Sequence, residues 1–319
     1  MAGSVHAQGV FAKMLLEPGA APHTFDANSE PYDFLSENIV RRQRYIGGNE
    51  IRGTRVAPGI RVREGARYFH GAIQKYISPI ELDTLIPKFL GDEATDVFLP
   101  DEDIPYFGAM IWRDESIFTT PPKSTFEYKN CKIDRIEIRG RAPELGEEGE
   151  PDMLTGMFYI LASDRALTSW PAIPPAHGTA ANYAPWVFSD CDAAVFLNGS
   201  AIEIEEFVIS VNNHLQAKYV NSLTPSSIMA RGRTVRLGLR IPWNDTNDSL
   251  LGTTWTGANY LTFTSGGLST KFEFGDLYVD FEDPSAAKGK GQIALVINAL
   301  SYSSSSKAWD LKITNDSIA

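Results

Sequence analysis

Cysteine is nearly missing from this chain: there are two in 319 residues, Cys131 and Cys191, 60 positions apart and outside any CxxC spacing. That excludes a dense disulfide framework and leaves two reduced, buried thiols as the expectation, with a single disulfide as the alternative. Histidine is also scarce. His6, His23, His70, His177 and His214 are scattered, and none falls in HExxH or another metal-ligand spacing. There is no G-x-S-x-G nucleophile turn. Gly289-Lys290-Gly291 lacks the Ser or Thr that completes a phosphate-binding loop and reads as a turn between strands. No catalytic, cofactor-binding or metal-binding residue is singled out, and neither an enzyme nor a cofactor is expected. No apolar run approaches the ~18–20 residues of a membrane helix. Met1-Ala2-Gly3-Ser4-Val5-His6 shows no basic cluster leading into an apolar stretch, so the reading expects no signal peptide, no membrane and a soluble protein made in a cytoplasm. Positive charge is in deficit: 29 Lys and Arg against 40 Asp and Glu give a net charge of −11. Such a surface disfavours gripping DNA or anionic lipid, since basic side chains supply that attraction.

What is present is β-patterned. Residues 234–241 alternate, with Val235, Leu237, Leu239 and Ile241 on one face and Thr234, Arg236, Gly238 and Arg240 on the other. Ile202 and Ile204, then Phe207, Ile209 and Val211, alternate with a slip at Glu205-Glu206 that a bulge would produce. Asn198-Gly199 between two apolar runs predicts a hairpin, because both residues tolerate the positive φ of a type I′ turn. One helix is predicted over residues 78–91. Ser78 and Glu81 form a capping-box pattern with Pro79 at the first position, and Leu82, Leu85, Ile86 and Phe89 make one apolar stripe. Gly91 fits a terminator, and Pro87 is expected to end or distort the last turn.

The length suits about two domains of ~150 residues, and a repeat supports that division. Phe126-Glu127-Tyr128-Lys129-Asn130-Cys131-Lys132-Ile133-Asp134 returns 146 positions later as Phe272-Glu273-Phe274-Gly275-Asp276-Leu277-Tyr278-Val279-Asp280. Upstream, Pro58, Gly65 and Gly71 match Pro225, Gly232 and Gly238 at an offset of 167, but the apolar alternation there is out of phase by one residue. Either a bulge or coincidence would explain that. The expected division is an N-terminal arm (1–35), a first β domain (36–162), a Pro-rich linker (163–186) and a second β domain (187–319), a tandem repeat of one supersecondary unit. The arm and the linker lack periodicity of their own and are expected to contact neighbouring subunits.

Weaker signals have plain structural explanations. Glu203, Glu205 and Glu206 contain a carboxylate pair of the kind glycosidases use, yet they also fit the wet face of a strand. Residues 144–152 form an acidic loop. The N-x-S/T matches at Asn198, Asn244, Asn247 and Asn315 carry no weight without a secretion signal. Trp112, Trp170, Trp186, Trp243 and Trp255 would serve an alternative function, a two-domain β-sandwich that binds a receptor or glycan, if they were exposed.

The order of segments is more specific than any single one. Met14-Leu15-Leu16-Glu17-Pro18-Gly19 and Pro22 precede Ile51-Arg52-Gly53-Thr54-Arg55, then Gly65 and Gly71-Ala72-Ile73 run into the helix from Pro79. Later come Phe207-Val208-Ile209-Ser210-Val211-Asn212-Asn213-His214-Leu215 and Ser222-Leu223-Thr224-Pro225-Ser226-Ser227-Ile228. Over most of its length this order resembles the tail tube (major tail) proteins of long-tailed, non-contractile bacteriophages. The resemblance implies a mainly β protein of two tandem tail-tube-like β-sandwich or barrel domains with a flanking helix. It also implies a structural virion protein, assembled in the host bacterial cytoplasm into stacked rings that form the tail tube and conduct the genome. Its implied partners are further copies of itself, as a pseudo-sixfold trimer or a hexamer, and the tape measure, tail terminator and distal tail proteins. DNA would pass through the lumen without specific binding. Arg61, Arg63, Arg231 and Arg233 are the basic residues expected at subunit interfaces, which would leave surplus acids for a mainly negative channel.

Overall fold

The computed structural model describes residues 13–26, 29–46, 63–94, 96–112, 125–142, 153–168, 184–191, 195–242, 254–285 and 294–317. The first half supplies β1 (Lys13–Pro18), β2 (Glu30–Tyr32), β3 (Ser36–Glu37), β4 (Val40–Ile46), β5 (Arg63–Tyr76), α1 (Pro79–Leu90), β6 (Gly91–Ala94) and β7 (Val97–Pro100). It continues with β8 (Phe107–Trp112), β9 (Thr125–Arg141), β10 (Thr155–Ala162) and β11 (Asp164–Thr168). The second half supplies β12 (Val195–Leu197), β13 (Ser200–Ala201), β14 (Glu206–Asn212), β15 (Gln216–Lys218), β16 (Ser227–Met229) and β17 (Thr234–Pro242). It ends with β18 (Thr254–Trp255), β19 (Asn259–Ser265), β20 (Leu268–Phe274), β21 (Asp276–Ser285), β22 (Ala294–Tyr302) and β23 (Leu311–Asp316). The protein is mainly β, as expected.

One long antiparallel sheet runs through both halves in the order β18-β21-β22-β17-β14-β9-β10-β5-β3, with β4 also on β5. Alternation puts Ile136, Ile138, Phe207, Ile209, Val211, Val235, Leu237 and Leu239 on its buried face. Over that face lie α1 and two outer groups of strands. Met14 and Leu16 of β1, Leu85 of α1 and Phe107 of β8 meet Ile73, Ile133 and Phe158 of the sheet across the first half. Phe263 of β19 meets Phe207 with ring centres 5.6 Å apart across the second. The buried side chains form one continuous core.

The pairing pattern of the first half recurs in the second. β1 pairs with β2 and β8, as β12 pairs with β13 and β19. β8 and β11 flank the first part of β9, as β19 and β23 flank β20. The rest of β9 pairs with β10, which pairs with β5, and β21 pairs in the same way with β22 and then β17. Finally β3 and β4 lie on β5 as β14 lies on β17. Both nine-residue blocks sit where the chain steps from an outer group into the long sheet. In the first, Asn130 bends the strand with a φ of +48°, and its side-chain oxygen accepts the Ala21 N–H at 2.8 Å. The registers also decide the upstream comparison. Gly71 faces Ile160 and Ile160 faces Ile133, whereas Leu237 faces Ala299 and Ala299 faces Val279. Gly71 therefore corresponds to Leu237 and not to Gly238, which restores the apolar phase, and the glycine match at 167 is coincidence.

Four local expectations differ from the structure. Residues 13–18 and 30–32, expected in an irregular arm, are strands, and Met14, Leu15 and Leu16 are buried. Asp164–Thr168, in the expected linker, pairs with β9; the linker's residues 169–183 lie outside the described residues. Pro87 does not shorten α1, which runs on to Leu90 because Phe89 and Leu90 are wholly buried. Gly91 ends it with a φ of +108°, as a C-terminal glycine does. Ser78 precedes the helix, but its hydroxyl donates to Glu81 at 2.5 Å and does not cap a backbone N–H. Asn198-Gly199 forms the hairpin turn foreseen, with φ of +51° and +82°.

Candidate assembly surfaces

The long sheet has one open face. On β9 it presents Arg135, Glu137, Arg139 and Arg141, and on the paired β14 Glu206, Val208, Ser210 and Asn212. Arg236 and Arg240 follow on β17, then Val296, Asn298 and Leu300 on β22 and Tyr278 and Asp280 on β21. Strand alternation puts Arg135, Glu137 and Arg139 side by side, and both guanidiniums bond Glu137, that of Arg139 at 3.0 Å. Arg240 holds Glu205 at 2.8 Å. Arginine outnumbers carboxylate among the described residues of this face, so the acid surplus of the whole chain is not concentrated here.

The sheet also has two edges. At one end β4, with Arg41, Arg42 and Arg44 exposed, has β5 as its only partner among the described residues. At the other, β18 is the end strand, pairing with β21 at Leu277 and Tyr278 and with no other strand among the described residues. Between β14 and β17 the chain projects the β15–β16 hairpin across the first half. There the Arg67 N–H donates to Leu223 O at 2.7 Å, and the Ile228 N–H donates to the Tyr106 hydroxyl at 2.9 Å. This hairpin contains the Ser222–Ile228 segment of the resemblance. The neighbouring Asn213 amide is buried, donating to Phe89 O and Ile133 O at 3.1 Å each, and so ties the end of α1 to β9.

The residues weighed for chemistry are not brought together. His23, His70 and His214 lie apart, and the described residues contain no group of three or more His, Cys, Asp or Glu placed to hold a metal. Burial lowers His23 below the usual imidazole range against the pull of Glu127 and Glu17. Cys131 and Cys191 are free and buried, and burial pushes Cys191 up to about 12. Glu205 is taken by Arg240 on the wet side of the sheet. Asn315 is fully buried, which removes it as a glycan acceptor. Residues 144–152, Gly289-Lys290-Gly291, Asn244, Asn247, Trp170 and Trp243 lie outside the described residues. Trp186 and Trp255 are only 2% and 1% exposed, so two of the tryptophans considered for sugar stacking cannot reach a ligand. Of the interface arginines expected, Arg233 is occupied within the chain by Asp310 at 3.0 Å, Arg63 and Arg231 are exposed, and Arg61 is outside the described residues. The basic edge strand β4 was missed, although its run Val40-Arg41-Arg42-Gln43-Arg44 was visible in the sequence.

Among the described residues, a long sheet whose end strands have one partner each and whose outer face is open is an arrangement suited to assembly. The profile of the phage tail tube protein family matches residues 14–302, and the chain belongs to that family. It is a structural protein of the phage tail. No curated protein matches the chain.

Proposed function

We propose that the chain polymerises into stacked rings that form the tail tube, the conduit through which the genome leaves the virion. The recurring strand-pairing pattern carries this reading, since it puts two tube-like units end to end in one sheet. On this basis residues 36–162 and 187–319 are tandem tube domains, and the first also takes in β1, β2 and β11, the counterparts of β12, β13 and β23, from the segments 1–35 and 163–186 expected as arm and linker. Three chains then make a pseudo-sixfold ring, with a hexamer of chains as the alternative outcome. Each chain contributes eight strands (β21, β22, β17, β14, β9, β10, β5 and β4) to a closed sheet. Three chains bring 24 strands, and ~4.8 Å spacing with ~40° tilt gives a barrel roughly 45–50 Å across between backbones.

The buried face carries α1 and the outer strands, so the open face is the one left to line the channel. Its arginines replace the mainly negative lumen expected from net charge with a largely paired one. Glu137 and Glu205 engage three of those arginines, and DNA slides past without being held. Assembly takes place in the host cytoplasm, and the tape measure, tail terminator and distal tail proteins are the partners at the lumen and the tube ends. Electron microscopy of the purified protein in negative stain tests the reading. Rings with threefold-modulated sixfold outline, stacking into tubes, are expected; persistent monomers at high concentration would overturn it.

A further inference from the structure

The segment that leaves β14 bridges part of the first half's open face and leaves a cavity beneath it. Phe69 and Gly71 of β5 turn into the core, so Tyr68 and His70 stand on the open face, as does Leu161 of β10 between Ile160 and Ala162. Asp134 is the odd residue of the β9 bulge: Tyr159 faces Arg135 and Ile160 faces Ile133, so Asp134 has no partner on β10. One of its carboxylate oxygens accepts the Leu215 N–H at 2.7 Å, and the Tyr219 hydroxyl donates to Arg67 O at 3.4 Å, which fixes the bridging segment at both ends. Between that segment and the sheet lies a cavity of about 360 Å³, open on one side and walled by Tyr68, His70, Asp134, Leu161, Leu215 and Tyr219. We propose that this cavity binds an organic cation, an ammonium or guanidinium group carried on an alkyl chain. The cavity is built within one chain, so the inference goes beyond the ring reading and does not depend on it.

The two cations that flank Asp134 on β9 are committed elsewhere. Lys132 holds Asp103 at 3.0 Å and lies 4.3 Å from the centre of the Tyr106 ring. Arg135 bonds Glu137 and lies 5.4 Å from the centre of the Tyr159 ring. Tyr106 and Tyr159 thus each carry a cation, whereas Tyr68 and Tyr219 carry none among the described residues. Burial and the nearby Tyr68 phenol both raise Tyr219 above the usual tyrosine range, which keeps it a neutral ring. The second oxygen of Asp134 and the His70 ring have no hydrogen-bond partner among the described residues, and no lysine or arginine lines the cavity.

These groups select one sign of charge. An anion would meet the Asp134 carboxylate with no basic side chain in the wall to offset it. A cation gains a charge-assisted hydrogen bond to that carboxylate and the faces of two tyrosine rings. Leu161 and Leu215 then cover its methylenes, as apolar surface covers the stem of a lysine or arginine. The volume falls within the ~300–1,000 Å³ of small-molecule sites. Two sources carry this chemistry, a free polyamine and the basic side chain of another protein's segment.

Calorimetric titration of the full chain with spermidine and, separately, with N-acetyl-arginine methylamide tests the site and distinguishes the sources. Saturable one-to-one binding of at least one is expected, the tighter of the two identifies the source, and the uncharged citrulline analogue of the second should not bind. Asp134→Asn keeps an oxygen for the Leu215 N–H but removes the charge, and should weaken binding about tenfold or more. It shifts the net charge of −11 by one unit only, so diffuse attraction of cations to an acidic surface would survive it. Tyr68→Leu and Tyr219→Leu should each weaken binding about threefold or more. Melting close to the parent's shows that the cavity walls still fold; if a leucine variant fails to fold, Asp134→Asn decides alone. Heats that saturate with neither ligand, or an affinity that Asp134→Asn leaves unchanged, overturn the site. Ring formation is read separately by microscopy, so a failure here leaves the ring reading standing, and the absence of rings leaves the site standing.

Discussion

Asn213 shows what a single residue contributes here. Its amide spans two carbonyls from elements distant in sequence, Phe89 O at the end of α1 and Ile133 O on β9, and it is 1% exposed. Asn213→Ala would leave both carbonyls buried without that donor, at a cost of about 1–3 kcal/mol. A melting temperature lowered by several degrees is expected, and one unchanged from the parent would refute the assignment. Glu137 has a different role. It neutralises Arg135 and Arg139 on the open face, so Glu137→Gln should release two guanidiniums, which in the proposed ring face the channel. Tubes of that variant should retain duplex DNA in a mobility-shift titration at low salt and lose it steeply as salt rises, where parent tubes do not. Equal retention by both would place the face elsewhere. Glu273 gives a pH dependence. Burial would raise its pKa, but hydrogen bonds from Lys312 and Lys271 outweigh burial and hold it below the usual carboxylate range. Its contribution to stability is therefore complete above the unfolded carboxylate pKa and is lost as pH falls through the lowered folded value. Denaturant titrations from neutral to acid pH should show a drop that Glu273→Gln reduces.

At the scale of elements, local signals were legible where local forces decide. The α1 stripe could be read because its period, Pro79 and Gly91 all agree, and the β12–β13 hairpin because Asn198-Gly199 favours a positive φ. β1 could not be read. Its partner β8 is nearly a hundred residues away, and Pro18, Gly19 and Pro22 mask a strand that only that partner stabilises. The run of α1 past Pro87 was hidden for a related reason. A proline inside a helix costs ~3 kcal/mol or more, and full burial of Phe89 and Leu90, at ~1.5–3 kcal/mol each, offsets it only in the folded context. A truncation follows from β1. Deleting residues 2–18 removes Met14, Leu15 and Leu16 from the core and should give a chain that loses cooperative melting, whereas the sequence suggested an arm that contacts neighbouring subunits. A cooperative transition retained in that truncation would show that β1 is marginal.

At the scale of the whole molecule the two halves are interlocked and not merely adjacent. β7 of the first half extends the outer sheet of the second by pairing with β23, with Phe98 opposite Ile313. From the end of that strand the Asn315 amide donates to Pro79 O at 2.9 Å and bonds the Asp83 carboxylate, while the Ser317 hydroxyl bonds Asp83 as well. The first turn of α1 is thus held by residues more than two hundred positions later. Ribosomes deliver the chain from its N-terminus, so α1 and β7 must wait, incompletely seated, until residues 311–317 have emerged. Limited proteolysis of ribosome-bound chains should cut readily around residues 79–100 until that last strand is out, and protection of that region in shorter nascent chains would contradict this timing.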